Sequence, residues 1–337
     1  MLKKIKELFI PQQLLKGNCG IEREMLRVDK NGYLSFTDHP EIFGDKVLNP
    51  YITTDFSESQ VEVITPALDK IEETYSFLKA LYDIVALEIG DEILWPQSMP
   101  CFIPEDDEIP VAKYSEEGRE AEEYRNKLLK KYGGKKQLIS GIHYNYSFNE
   151  EIIRKLYESS DKELTYKEYK NSIYLKVARN YLRYRWIIVY LLGAAPVIHE
   201  SFLNGCSCKL KQISEDGYTL DGAVSHRNGE CGYRNKEELY PNYDTVEDYV
   251  ESINKYVNDG VIDSHKELYS QVRLKAKEPK NFLNSLQEDG ISYLEYRSID
   301  INPFEKGGIS LNDLYFLQLL NIYMLIKEES SYDKWQK

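Results

Sequence analysis

Histidine and cysteine are scarce, with 5 of each among 337 residues. Cys19, Cys101, Cys206, Cys208 and Cys231 are odd in number and scattered, which argues against a disulfide framework in a chain of this length. Only Cys206 and Cys208 lie close together, and no second pair offers zinc-like spacing. Long hydrophobic runs are also missing. The longest apolar stretch, Trp186–Ile198, falls short of the roughly 20 residues a bilayer demands. The basic start Met1–Lys6 is followed by no apolar core or small-residue cleavage site, so a cytoplasmic protein is expected. Positive charge is in deficit: 43 Lys+Arg against 56 Asp+Glu give a net charge of −13. That argues against nucleic acid or an anionic membrane as main partner, because both need a basic footprint. Neither a Walker-type glycine loop nor a GxGxxG segment occurs. A nucleotide would have to be held by metals and arginines.

What is present is a soluble globular composition, 42% apolar and 29% charged, with an unusual 28 tyrosines. The length suits two average domains or one large α/β or α+β domain, and no repeat, linker or clean boundary divides it. Cys19–Val28 and Tyr33–Phe36 read as a hairpin around Asn31-Gly32. Gln60–Thr65, Gln137–Phe148 and Ile291–Asp300 read as strands. Helical spacing runs from Ile71 to Ile89, along the charged segment Glu116–Lys131, and over Tyr174–Leu192. Thr245-x-x-Asp248 and Ser310-x-x-Asp313 resemble capping boxes. The last helix, Leu314–Ile326, is apolar almost all round except at Gln318 and Asn321. Such a helix requires burial on every side, by the centre of the fold, by a partner or by a further segment.

Side chains alternate between the faces of a strand. In Gln137–Phe148 one face carries Leu138, Ile142, Tyr144, Tyr146 and Phe148. The other is mostly polar and carries Gln137, His143 and Asn145. Glu22 and Glu24 share a face, as do Glu295 and Arg297, while Asp55 and Glu62 flank a turn. Each signal alone has a plainer explanation: an exposed half-strand, a structural histidine, a cross-strand ion pair. Together, five carboxylates and a histidine on segments of one sheet point to Mg²⁺ or Mn²⁺, which take oxygen-rich sites with an occasional imidazole. Carboxylates around divalent ions are a common means of handling nucleotide phosphates.

Five ordered motifs then resemble the bacterial glutamate–cysteine ligase family. They are Gly20-Ile21-Glu22-Arg23-Glu24-Met25-Leu26-Arg27-Val28, Tyr51–Gln60, Trp95-Pro96-Gln97-Ser98-Met99-Pro100-Cys101, Ile139-Ser140-Gly141-Ile142-His143-Tyr144-Asn145, and Glu295–Phe304. The resemblance implies an α+β, glutamine-synthetase-like fold, with a curved antiparallel sheet forming a funnel and helices outside. It implies an ATP-dependent ligase that joins the γ-carboxylate of glutamate to the amine of cysteine through an acyl phosphate. Glu22, Glu24, Asp55, Glu62, His143 and Glu295 are then the ligands of two or three Mg²⁺ ions. Arg297 is the catalytic arginine that meets the transferring phosphate, with Arg273 a second phosphate candidate. Arg227 holds a substrate carboxylate. Tyr124, Leu128, Gln137, Tyr233 and Tyr269 form the pocket for the cysteine side chain, although Tyr124 and Tyr269 also read as surface tyrosines. Residues 1–337 are expected to be a single catalytic domain, short at the C-terminus against the family and without the ATP-grasp domain of the fused branch. The partners expected are small molecules only, with the chain a monomer or a homo-oligomer through its C-terminal apolar helix. Two rivals stay open: an amide ligase using another amine or acid, and a non-catalytic binding module.

Overall fold

The structure, a computed structural model, describes residues 1–206 and 208–330; the end of the expected domain, 331–337, lies outside them. Its helices are α1 (Leu2–Leu8), α2 (Pro11–Leu14), α3 (Ile71–Glu88), α4 (Arg119–Tyr132), α5 (Glu150–Glu158), α6 (Tyr166–Leu192), α7 (Val246–Asn258), α8 (Phe282–Asp289) and α9 (Leu311–Ile326). Its strands are β1 (Gly17–Val28), β2 (Ile52–Thr54), β3 (Gln60–Ile64), β4 (Ile93–Leu94), β5 (Ile142–Phe148), β6 (Ile198–His199), β7 (Lys211–Gln212), β8 (Gly217–Thr219), β9 (Val272–Lys275) and β10 (Tyr293–Ile299). The main sheet runs β2-β3-β1-β5-β10-β9, with β4 paired to β1, and every pairing in it is antiparallel. A small sheet, β6-β8-β7, stands apart from it. Helices and an antiparallel sheet in one chain make this the α+β class expected from the sequence.

The two faces of the main sheet differ in kind. One face sends Ile21, Met25, Val61, Val63, Tyr144, Tyr146, Leu294 and Tyr296 into a core shared with α3, α6 and α9. Many tyrosines are core side chains here: Tyr144 stacks on Tyr146 and Tyr296, and Tyr181 lies 4.4 Å from Tyr296 between ring centroids. Aromatic rings bury a large apolar area, yet a buried hydroxyl needs a partner. The hydroxyl of Tyr296 donates to Asn321. That bond explains one polar break in α9. The other, Gln318, donates to the Leu15 carbonyl at 2.7 Å.

The chain's own elements therefore cover most of α9. It packs against α6 and α3, and among its large apolar residues Leu319 and Tyr323 stay exposed. Lys176 and Asn180 of α6 donate to the carbonyls of Leu325, Met324 and Lys327 at its C-terminal end, where backbone acceptors lack helical partners. The capping signals are realised: Thr245 accepts from Asp248 N and Ser310 from Asp313 N.

Three local expectations change. The strand begins at Ile142 rather than Gln137, because Lys135–Leu138 forms a 3₁₀ turn. The turn at Gly32 forms with φ of 84°, but Tyr33–Phe36 makes only isolated bridges, Val28–Leu34 and Tyr33–Phe102. A disulfide joins Cys206 to Cys231, and Cys208 Sγ lies 3.2 Å from Cys231 Sγ. Chain proximity from a fold, not sequence spacing, brings these sulfurs together.

Candidate active site

The face of the sheet opposite the helices carries the acid cluster, and strand register assembles it. Glu22 of β1 is the Cα partner of His143 on β5, and Glu24 of β1 is the partner of Glu62 on β3. Glu295 of β10 pairs with Asn145 on β5 and Arg273 on β9. An irregularity in the β10–β5 register follows Tyr296, where Arg297 points to the same site as Glu295.

Two groups of potential metal ligands share His143. Glu22, His143 and Glu295 form one; Glu24, Glu62 and His143 form the other, with candidate ligand atoms within 4.8 Å of one another in each group. His143 Nδ1 lies 3.0 Å from Glu22 Oε2 and 3.7 Å from Glu295 Oε1, and its Nε2 lies 3.6 Å from Glu24 Oε1. Asn145 Nδ2 donates to Glu22 Oε1 at 2.8 Å, and the Gly141 amide donates to Glu24 Oε2 at 2.8 Å. These bonds fix the carboxylates without consuming all their lone pairs.

The electrostatics divide the cluster. Burial alone would raise the Glu295 carboxyl, but Arg297, Lys275, His143 and Arg273 hold it well below the usual carboxylate range. Arg297 Nη1 lies 3.0 Å from Glu295 Oε1, and Lys275 Nζ lies 3.3 Å from Oε2. Burial also opposes ionisation of Glu22, yet the His143 hydrogen bond and nearby positive charge lower it. Burial raises Glu24. Burial pushes Glu62 well above the usual range, and Glu22, Asp55 and Glu24 push it further.

Glu22, Glu24, Glu62 and His143 line one cavity of about 770 Å³. Asp55, Arg297, Arg273, Arg227, Tyr124, Leu128, Gln137, Tyr233 and Tyr269 line it too; of the expected set Glu295 alone is outside the lining, beside His143. Tyr233 and Tyr269 join their hydroxyls and sit 4.0 Å apart between ring centroids. Tyr124 and Tyr269 are half-buried in this wall, not surface tyrosines. Burial pushes the Tyr124 hydroxyl up to about 12 and that of Tyr233 well above its usual value. Arg273 is engaged by backbone: it donates to Leu268 O and Lys266 O.

Sequence reasoning missed several residues around the cavity. Lys275 shares a face of β9 with Arg273, and the same-face logic applied to Glu22 and Glu24 would have found it. Tyr132 meets Tyr233 and Tyr269 edge-on at 6.0 Å each. Behind it the buried Glu267 accepts from the Tyr132 hydroxyl and pairs with Lys131 at 2.7 Å. Arg125 and Arg185 also line the cavity. Strand alternation does not mark these, because Arg125 and Tyr132 sit on α4 and Arg185 on α6.

The chain matches the family described as glutamate-cysteine ligase over residues 2–337. It belongs to the glutamate–cysteine ligase family. It is 45% identical over 330 residues to the glutathione biosynthesis bifunctional protein GshAB of Clostridium perfringens, covering 97% of this chain and 42% of that relative. Against the glutamate–cysteine ligase of Clostridium acetobutylicum the identity is 36%, covering 100% of this chain and 77% of the relative. Among solved structures, a bifunctional glutathione synthetase from Pasteurella multocida superposes with a TM-score of 0.85 at 34% identity, covering 99% of this chain and 42% of that one. A glutamate–cysteine ligase from Francisella tularensis in complex with AMP also gives 0.85, at 30% identity, covering 95% of this chain and 68% of that one. The chain thus spans about two fifths of the length of its bifunctional relatives. Four of the five ligase-family motifs named from sequence fall on β1, the β2–β3 turn, β5 and β10, which build the cavity, while Trp95–Cys101 follows β4 and supplies no residue to its lining. Among the described residues, no helix is long and apolar enough to cross a membrane.

Proposed function

We propose that this chain joins the γ-carboxylate of glutamate to the amine of cysteine at the expense of ATP, through a γ-glutamyl phosphate, the first step of glutathione biosynthesis. The observation that carries this reading is the convergence, around one cavity, of two carboxylate–histidine groups, of Arg227, Arg273 and Arg297, and of a tyrosine-lined pocket. A binding module has no use for so many like charges held together against their repulsion.

The donor set fits Mg²⁺, with Mn²⁺ compatible with the imidazole. Glu22, His143 and Glu295 would hold one ion, Glu24, Glu62 and His143 another, and Asp55 completes a site for two or three. Such ions neutralise phosphate charge during phosphoryl transfer. Arg297 is fixed by Glu295 and stabilises charge on the transferring group. Arg273 offers a weaker phosphate contact, since two of its nitrogens serve carbonyls. Arg227 receives the α-carboxylate of glutamate, which suits a planar fork. Tyr124, Leu128, Gln137, Tyr233 and Tyr269 enclose the cysteine side chain with neutral hydroxyls. The AMP bound to the Francisella relative supports a nucleotide substrate.

We place this activity in the cytoplasm. Phosphate release from ATP and Mg²⁺ tests the reading. It is expected only when glutamate and cysteine are both present. Release with glutamate and another amine, but not cysteine, would instead select an amide ligase of different specificity.

A further inference from the structure

Two residues outside the cavity lining converge on Arg227. The first is Gly141, at the start of β5. Its backbone conformation makes no demand for glycine, but a Cβ there would overlap Nη2, Cζ and Nε of Arg227. The guanidinium therefore lies flat on the peptide of residue 141. That same peptide holds the acid cluster: its N–H donates to Glu24 Oε2, and its carbonyl accepts from Glu24 N at 3.1 Å.

The second is Asp300, just past β10, with a fully buried side chain. Its Oδ2 accepts from Ala194 N at 3.0 Å and its Oδ1 from Asn228 Nδ2 at 3.2 Å. Oδ1 also stands 3.8 Å from Arg227 Nη1, which donates to the Ile299 carbonyl at 3.2 Å. Asp300 and Ile299 thus hold one end of the fork, while Gly141 sets the plane of the rest. A carboxylate buried this deeply is retained only against strong desolvation, unless it is paired and hydrogen-bonded. Its pairing here falls on the arginine and on the next residue of the same turn.

We propose that Asp300 and Gly141 are positioning residues for substrate recognition, which fix the Arg227 guanidinium at a set place relative to Glu24 so that it meets the α-carboxylate of an amino-acid substrate without rearrangement. The proposal rests on the reading of Arg227 given above. Preorganisation of this kind lowers the cost of binding more than it changes the chemical step.

The test compares Asp300→Asn, Gly141→Ala and Arg227→Ala with the parent chain, using glutamate and 4-aminobutyrate, which lacks the α-carboxylate. Asp300→Asn keeps shape and one oxygen but loses the countercharge. Gly141→Ala displaces the fork from the other side. Both are expected to raise KM for glutamate about tenfold or more, and Asp300→Asn, which does not touch Glu24, should keep kcat within about threefold and KM for ATP unchanged. Both should reduce the preference for glutamate over 4-aminobutyrate, as Arg227→Ala is expected to. Added to Arg227→Ala, Asp300→Asn should have no further effect on glutamate. Equal losses with both substrates, or an Asp300→Asn chain that does not fold, would make these residues merely structural and overturn the proposal. An Arg227→Ala chain that keeps its preference for glutamate would instead sink the reading of Arg227.

Discussion

The two ligand groups that share His143 are built from the same residue types yet sit in opposite electrostatic states. Around Glu22 and Glu295 the protein supplies its own cations, Arg297 and Lys275, and both carboxyls are held below their usual range. Around Glu24 and Glu62 burial and neighbouring carboxylates outweigh Arg227, Arg297 and Arg125, and both carboxyls are raised. The difference separates a half of the site that is balanced without metal from a half that is under strain without it. An external cation gains most from the second half, since it relieves repulsion that the fold leaves in place.

Removing a partner from the balanced half should be the most damaging change. Glu295→Gln leaves Arg297 and Lys275 beside a buried neutral amide. It is expected to abolish turnover and to cost about 3 kcal/mol of stability, in line with broken buried pairs. Denaturant titration together with phosphate release measures both, and unchanged stability would erase the distinction between the halves. Glu62→Gln should separate the two effects. Turnover is expected to fall by about 10³-fold or more for loss of a metal ligand, while the metal-free protein becomes more stable at pH 8 because repulsion is relieved. A melting curve in chelator that shows destabilisation would contradict the strain assigned to this half.

A smaller effect is expected from Arg297→Lys, which keeps the charge beside Glu295 but loses the planar fork. Turnover should fall about tenfold with little change in melting temperature, and a parental rate would remove Arg297 from phosphoryl transfer. The smallest effect, and the one that compares the halves directly, is the dependence of melting temperature on pH in chelator. A carboxyl raised by folding stabilises below its unfolded value, and that stability is lost as pH rises through the folded value. Glu24 and Glu62 therefore favour acid. A carboxyl lowered by folding stabilises above its unfolded value and loses this as pH falls through the folded one, so Glu22 and Glu295 favour neutral pH. Alkaline loss should shrink when Mg²⁺ is added or when Glu62 is replaced by Gln. The same alkaline slope with and without Mg²⁺ would place the metal elsewhere.

Much of the site was legible because strands alternate. The period of two put His143 and Asn145 on the face opposite Tyr144 and Tyr146, and put Glu22 with Glu24 and Glu295 with Arg297. Helix caps at Thr245 and Ser310 were readable for the same local reason. What was not legible depends on contacts between distant segments. Gln137 reaches the cavity from a 3₁₀ turn rather than a strand. Glu267 braces Tyr132 from a loop 135 residues away. The polar breaks in α9 looked like flaws in an apolar helix until Tyr296 and Leu15 appeared as their partners. No window of sequence carries such pairings.

The strand order has a consequence for assembly during synthesis. Glu24, Glu62 and His143 all lie within the first 143 residues, on neighbouring strands β3, β1 and β5. Glu295, Arg297 and Lys275 come from β10 and β9, which emerge from the ribosome much later. A growing chain therefore presents the self-repelling acids well before the cations that balance their neighbours. Because distant pairings are the slower to close, the acidic face of β3, β1 and β5 is expected to be open to divalent cations until β10 and β9 join it.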